Sequence, residues 1–261
     1  MIEHAGRGLL CDIEGTTTSI TFVYDTLFPY VRRQLRSFLA GHGKDPEVIA
    51  ACETIARETG AASLTKFLST AHFDAARRGT PLGVDRPLER EVLRRMDADD
   101  KSTGLKQLQG LIWRAGYASG ELRAHVYPDV RPAFAAWNEH GADIRIYSSG
   151  SVAAQQLLFA HSEAGSLSEY LRGYYDTRVG PKRSSDSYRR IVTDMAMDAG
   201  AVLFFSDTPE ELDAARAAGL ATALVQRGEH PPQARSASNT AASSAGARHP
   251  TITHFGEVRL N

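Results

Sequence analysis

The chain has 261 residues, 42% of them hydrophobic, enough for one large core or for a main domain with a smaller companion. Its 30 Lys and Arg against 31 Asp and Glu leave a formal net charge of −1, which excludes the basic excess of a nucleic-acid or membrane-surface protein. Two cysteines, Cys11 and Cys52, lack metal-ligand spacing, the N-terminus has no signal-peptide pattern, and no apolar window is long enough for a bilayer; together these predict a soluble cytoplasmic protein.

In chain order, the first element is the apolar run Gly8 to Cys11, read as a buried parallel strand that ends on Asp12-Ile13-Glu14 and breaks into Gly15-Thr16-Thr17-Thr18. Carboxylates at the C-terminal end of such a strand fall in the crevice where open α/β sheets bind ligands. Tyr24 to Ala40 carries Leu27, Tyr30, Val31, Leu35, Phe38 and Leu39 at helical spacing, and predicts an amphipathic helix. Helical patterns follow over Pro46 to Thr59, Ser63 to Arg78, Pro87 to Ala98 and Thr103 to Ala118, punctuated by glycines. Roughly ninety residues of helix before the next strand exceed what a simple crossover needs. They predict a helical domain over 21–120, inserted into an α/β domain made of 1–20 and 121–261.

Beyond it the pattern alternates. A helix opens at Tyr127-Pro128-Asp129-Val130 and runs to His140, and a strand runs from Ala142 to Tyr147, ending in Ser148-Ser149-Gly150-Ser151. Then come a helix from Val152 to His161, a short strand or loop from Tyr170 to Tyr175, a helix from Ser184 to Ala199 and a strand from Ala201 to Phe205. A helix over Pro209 to Ala218 and a strand over Ala221 to Val225 complete the series. The spacing is that of a doubly wound, Rossmann-like parallel sheet. Residues 228–250, rich in Ser, Ala, Pro and Gly, predict a mobile loop, after which Thr251 to Phe255 is expected to return to the sheet.

Three strand ends and one loop carry polar residues suited to a common crevice: Asp12 with Glu14, Ser148 with Ser149, Asp207, and Lys182 just before a helix. Singly, each has an ordinary structural role, as turn, cap or solvated lysine. Jointly, and in their chain order, they resemble the motif set of haloacid-dehalogenase-like phosphatases, and the phosphoryl transfer this implies explains why these residue types belong together. A carboxylate can attack phosphorus to give an aspartyl-phosphate, a divalent cation and an ammonium offset the repulsion between two anions, and a hydroxyl with backbone N–H groups holds the phosphoryl oxygens in line.

That order, carboxylate, hydroxyl, lysine, carboxylate, is the order of the four motifs in those phosphatases. Asp12 to Val23 with Leu27-Phe28-Pro29-Tyr30, Tyr147 to Val152, Gly180-Pro181-Lys182 with Ser187-Tyr188, and Phe204 to Ala215 resemble more closely the enolase-phosphatases of methionine salvage. The resemblance extends over nearly the whole chain, and the helical insertion sits where that family carries its cap domain. It implies a bifunctional enzyme, monomeric, with one Mg²⁺ per subunit, acting on 2,3-diketo-5-methylthiopentyl-1-phosphate by enolisation and then phosphate hydrolysis. It implies Asp12 as nucleophile, Asp12, Glu14 and Asp207 at the metal positions, Ser148, Ser149 and Lys182 at the substrate positions, and Glu211 as an outer-shell carboxylate. The alternative is a related phosphatase for another small phosphorylated metabolite. Glu14 stands where most phosphatases of the superfamily have Asp; its extra methylene exceeds the ~0.5 Å tolerance of a catalytic group, which suggests a further role in the carbon-bound proton transfer of enolisation. Arg77-Arg78 and Arg94-Arg95 read as solvated helix faces, His42, His72, His125 and His140 as surface or capping residues, and Trp113 and Tyr117 as core packing.

Overall fold

The computed structural model of the chain describes residues 1–77, 86–228 and 249–261, the side chains of 72–77 excepted. The chain divides into two compact units, Met1–Thr26 with Leu122–Asn261, and Leu27–Glu121.

The first unit is built on a six-stranded, all-parallel sheet: β2 (Gly8–Cys11), β3 (Asp143–Tyr147), β4 (Leu171–Tyr175), β5 (Val202–Ser206), β6 (Ala221–Val225) and β7 (Thr251–Ile252), in spatial order β4-β3-β2-β5-β6-β7. The chain moves outward from β2 through β3 to β4, then returns to the other side of β2 and moves outward again through β5, β6 and β7. The direction therefore reverses between β2 and β5, and at such a switch point the loops leave a crevice at the carboxyl ends of the strands. Register sharpens this: Cys11 lies opposite Ile146 and Phe205, so Asp12 and Ser206 leave their strands side by side. The sheet is buried on both faces, as a parallel sheet must be. Successive side chains alternate, so Phe204 packs against Tyr188 on one face while Phe205 stacks on Trp137 and meets Phe255 on the other. Helices α6 (Val130–Glu139), α7 (Val152–Ala160), α8 (Ser185–Met195) and α9 (Pro209–Ala217) follow in alternation with the strands.

Two features depart from the sequence expectation here. Helix α8 stops at Met195 rather than Ala199, because Ala196 takes a left-handed conformation at φ 52°. A separate two-stranded parallel sheet pairs β1 (Ile2–His4) with β8 (Val258–Leu260), joining the two ends of the chain. Each strand has three residues, too short for a periodic signal. The segment expected to be a mobile loop lies outside the described residues except for Gly228, His249 and Pro250; Thr251–Ile252 does return to the sheet, pairing with β6.

The second unit contains, among the described residues, helices α1 (Phe28–His42), α2 (Pro46–Glu58), α3 (Leu64–Arg77), α4 (Pro87–Asp97) and α5 (Thr103–Ser119). The pattern expected to be one helix from Tyr24 is divided: a π-helical turn spans Phe22–Leu27, and α1 begins at Phe28 with Pro29 in its first turn. Arg95 overturns the reading of Arg94-Arg95 as a solvated face. Its side chain is 3% exposed, ion-paired to Glu58 and to Glu91, and donates to the Ile55 carbonyl at 3.0 Å and the Ser102 hydroxyl at 3.0 Å. Arg94 is exposed and pairs with Glu91, whereas Arg78 and the Arg77 side chain lie outside the described residues. Tyr117 is buried and Trp113 donates its indole N–H to the Leu27 carbonyl at 3.0 Å, in keeping with a packing role. Among the described residues no helix is long and apolar enough to cross a membrane.

Candidate active site

Asp12 follows the last residue of β2, with its amide donating to the Phe205 carbonyl at 2.9 Å, and so remains tied to β5 after the strand ends. The chain then turns tightly: the amides of Thr16, Thr17 and Thr18 all donate to the Ile13 carbonyl, and the Thr17 hydroxyl donates to the Asp12 carbonyl at 3.1 Å. Gly15 makes the turn possible. Its φ is +72°, and a Cβ there would stand 2.2 Å from Asp207 Oδ2, so only glycine lets this loop approach the end of β5.

The carboxylate of Asp12 is buried and accepts from the Lys182 ammonium at 2.6 Å and from the Ile13 amide at 2.7 Å. Lys182 also pairs with Glu211 at 2.6 Å. Burial alone would lower the lysine's pKa, but the carboxylates of Asp12 and Glu211 hold it above the ordinary lysine range, so it is a permanent cation. The Ser206 hydroxyl stands between Asp12 Oδ2 (3.3 Å) and Glu211 Oε2 (3.0 Å) and accepts from the Thr208 amide. Ser206 lies inside the Phe204 to Ala215 motif but was not among the expected site residues; only the pairing of β2 with β5 sets it beside Asp12.

Lys182 owes its position to three hydroxyls. Those of Tyr147, Ser187 and Tyr188 donate to the carbonyls of Gly180, Pro181 and Lys182 at 2.9, 2.8 and 2.6 Å, so each successive peptide of the loop is held. Gly180 is at φ +144°, and a Cβ on it would meet the Ser187 hydroxyl at 2.3 Å.

Ser148, buried at the end of β3, donates to Glu14 Oε2 at 3.4 Å and accepts from the Gly150 amide at 3.1 Å; Ser149 on the same turn is exposed. Asp207 accepts from the Thr208 hydroxyl at 3.0 Å. The structure therefore brings Asp12, Glu14, Ser148, Lys182, Asp207 and Glu211 to the carboxyl ends of neighbouring strands.

Four carboxylates, of Asp12, Glu14, Asp207 and Glu211, gather around one ammonium, that of Lys182, which pairs with Asp12 and Glu211, so the site carries an excess of negative charge. Burial, then the charge of Asp12, pushes Asp207 and Glu211 each up to about 7 and raises Glu14 as well. Among the described residues, no three His, Cys, Asp or Glu side chains form a preformed metal cage. The hard oxygen donors and uncompensated charge nevertheless fit Mg²⁺, which keeps several waters and is commonly held by one or two carboxylates together with substrate phosphate. Cys11, next to Asp12, is fully buried, and burial pushes its thiol far above the range in which a thiolate forms.

The family model of haloacid dehalogenase-like hydrolases matches residues 7–219. Enolase-phosphatase E1 of Stenotrophomonas maltophilia is 42% identical over 255 residues, covering 97% of this chain and 99% of the relative. That of Synechococcus elongatus is 47% identical over 219 residues, covering 84% and 88%. Among solved structures, the Unknown transcript 4 protein of Saccharomyces cerevisiae superposes with a TM-score of 0.70 at 30% identity, over 96% of this chain and 98% of that one. The chain belongs to the haloacid dehalogenase-like hydrolases and, within them, to the enolase-phosphatase family.

Proposed function

We propose that the protein is an enolase-phosphatase acting on 2,3-diketo-5-methylthiopentyl-1-phosphate, which it enolises and then dephosphorylates to the acireductone of methionine salvage. The observation that carries the hydrolytic half is the buried contact of Asp12 with Lys182, backed by Glu211 and Ser206 at the switch point of the sheet. A carboxylate whose one oxygen is held by an ammonium and a backbone amide has a defined direction of attack, and attack on phosphorus divides the hydrolysis into formation and breakdown of an aspartyl-phosphate. Lys182 offsets the charge of the incoming phosphate, and the Ser148 hydroxyl with the amides of its turn holds the phosphoryl oxygens. Ser149, exposed on that turn, is the second substrate contact.

Asp12 and Asp207 would hold Mg²⁺, with Glu14 adjoining. The cation supplies neutralisation of the two anions that must meet. Glu14, raised by burial and by Asp12, retains a proton at higher pH than an ordinary glutamate and exchanges it with substrate, both with the leaving oxygen and with carbon during enolisation. The helical unit Leu27–Glu121 is the family's cap domain, and the enzyme works as a monomer in the cytoplasm.

Turnover of the diketo phosphate, followed by enol absorbance and released phosphate with and without Mg²⁺, tests this reading. Both signals are expected, and Asp12→Asn is expected to abolish phosphate release by at least ~10³-fold, since it removes the nucleophile. Phosphate release from other esters with no enol from this substrate would leave a phosphatase for a different metabolite.

A further inference from the structure

Arg227 follows β6 and has no part in the chemistry above, yet it is among the most completely engaged side chains in the α/β unit. Its side chain is 5% exposed. Nε and Nη2 both donate to the Thr16 carbonyl, at 3.0 and 2.8 Å, while Nη1 donates to Asp129 Oδ2 at 2.7 Å and to the Thr253 carbonyl at 3.1 Å. The guanidinium lies over two rings, 4.4 Å from the centroid of Tyr127 and 4.7 Å from that of Phe255. Asp129 is itself buried, and the same oxygen accepts from the Phe255 amide at 2.6 Å.

Thr16 is two residues from Glu14 and four from Asp12, in the turn that sets both. The Thr16 peptide is fully buried, and its carbonyl is gripped by two donors of a permanent, planar cation. The next carbonyl, of Thr17, accepts from the Tyr127 amide at 3.0 Å, and Tyr127 is one of the two rings the guanidinium lies over. One side chain thus joins the turn after the nucleophile to the start of α6, through Asp129, and to the C-terminal segment, through Thr253 and Phe255.

We propose that Arg227 is a positioning residue for catalysis: by clamping the Thr16 carbonyl it fixes the Gly15–Thr18 turn, and with it the Glu14 carboxyl relative to Asp12. This rests on Asp12 and Glu14 carrying the reaction. A lysine at 227 retains a charge for Asp129 but cannot present two parallel N–H groups to one carbonyl while also meeting the carboxylate. Ser148 and the loop of Lys182 keep their own hydrogen bonds when the clamp is lost, so the reacting groups move more than the phosphate contacts and the effect falls on kcat more than on KM.

The test compares the full-length native protein with Arg227→Lys and with the double variant Arg227→Met, Asp129→Asn, which leaves no buried charge unpaired. Hydrogen exchange of the Gly15 and Thr18 amides is expected to accelerate at least ~10-fold in both variants while the β5 amides keep their protection. With para-nitrophenyl phosphate, kcat is expected to fall ~10–100-fold while competitive inhibition by inorganic phosphate changes less than ~2-fold. Unchanged exchange at Gly15 and Thr18, acceleration shared equally by β5, or a KM effect with native kcat would each overturn the proposal. A native protein that turns over no phosphomonoester would sink the hydrolase reading instead, and the exchange comparison would still decide the clamp.

Discussion

Glu14 and Gly15 show how much one position decides. The carboxyl of Glu14 is raised by burial and by Asp12 and accepts from the Ser148 hydroxyl, and the proposed mechanism gives it the proton transfer of enolisation. In Glu14→Gln, enol formation is expected to fall by ~10²–10⁴, the usual contribution of a general acid or base, with much less effect on para-nitrophenyl phosphate, whose leaving group needs no proton. Unaltered enol absorbance kinetics would remove Glu14 from that step. Gly15→Ala inserts a methyl 2.2 Å from Asp207 Oδ2 at φ +72°, so Asp207 must shift. We expect a loss of ~1–3 kcal/mol in unfolding free energy and ~10-fold weaker Mg²⁺ binding, read by denaturant titration and by metal dependence of turnover. The acidic pair, the serines and the lysine were visible in the sequence because strand ends and turn residues announce themselves. Ser206 was not, since its role comes from the neighbour that pairing supplies.

At the scale of elements, the loop before α8 is the informative case. Its three successive carbonyls are held by hydroxyls from β3 and α8, and Lys182 is aimed by that loop rather than by its own contacts alone. Tyr188→Phe leaves the half-buried Lys182 carbonyl without its donor. It is expected to cost ~1–2 kcal/mol of stability, measured by denaturant unfolding, and to reduce kcat more than it changes KM. A variant with native kcat would show that the side-chain ion pairs suffice to aim the lysine. Arg95 makes the complementary point in the helical unit: a doublet of arginines on an amphipathic helix reads as a solvated face, but one of the two turns inward because Glu58 of α2 and Glu91 of its own helix offer it carboxylates. A pattern of charges along one helix cannot register a partner on another.

For the whole molecule, the surplus of carboxylates couples stability to pH. Asp207 and Glu211 titrate at about 7 in the folded protein against ordinary values of 3.8 and 4.5, so the folded state binds more protons than the unfolded state between those limits. The stabilisation is therefore complete below about pH 4 and is lost as pH rises through 7. In metal-free protein this contribution is expected to lower Tm steadily from pH 5 to pH 7.5, with added Mg²⁺ raising Tm most at the upper end; a Tm gain from Mg²⁺ that is equal at both pH values would remove the carboxylate cluster as its cause.

The amino-acid sequence by itself determined the alternation of strand and helix, the helical insertion, the four strand-end and loop motifs and, through their resemblance, the family. These are local properties, set by periodicity, turn residues and short spacings, and one stretch of chain contains each of them. Only the tertiary structure decided which strand ends adjoin, that Ser206 bridges Asp12 and Glu211 while Lys182 pairs with both carboxylates, that Arg95 is buried, and that Arg227 reaches back 211 residues to the turn after Asp12. Those depend on sheet order, register and helix packing, where the partners are distant in sequence and the energy that pairs them arises only once the chain has folded.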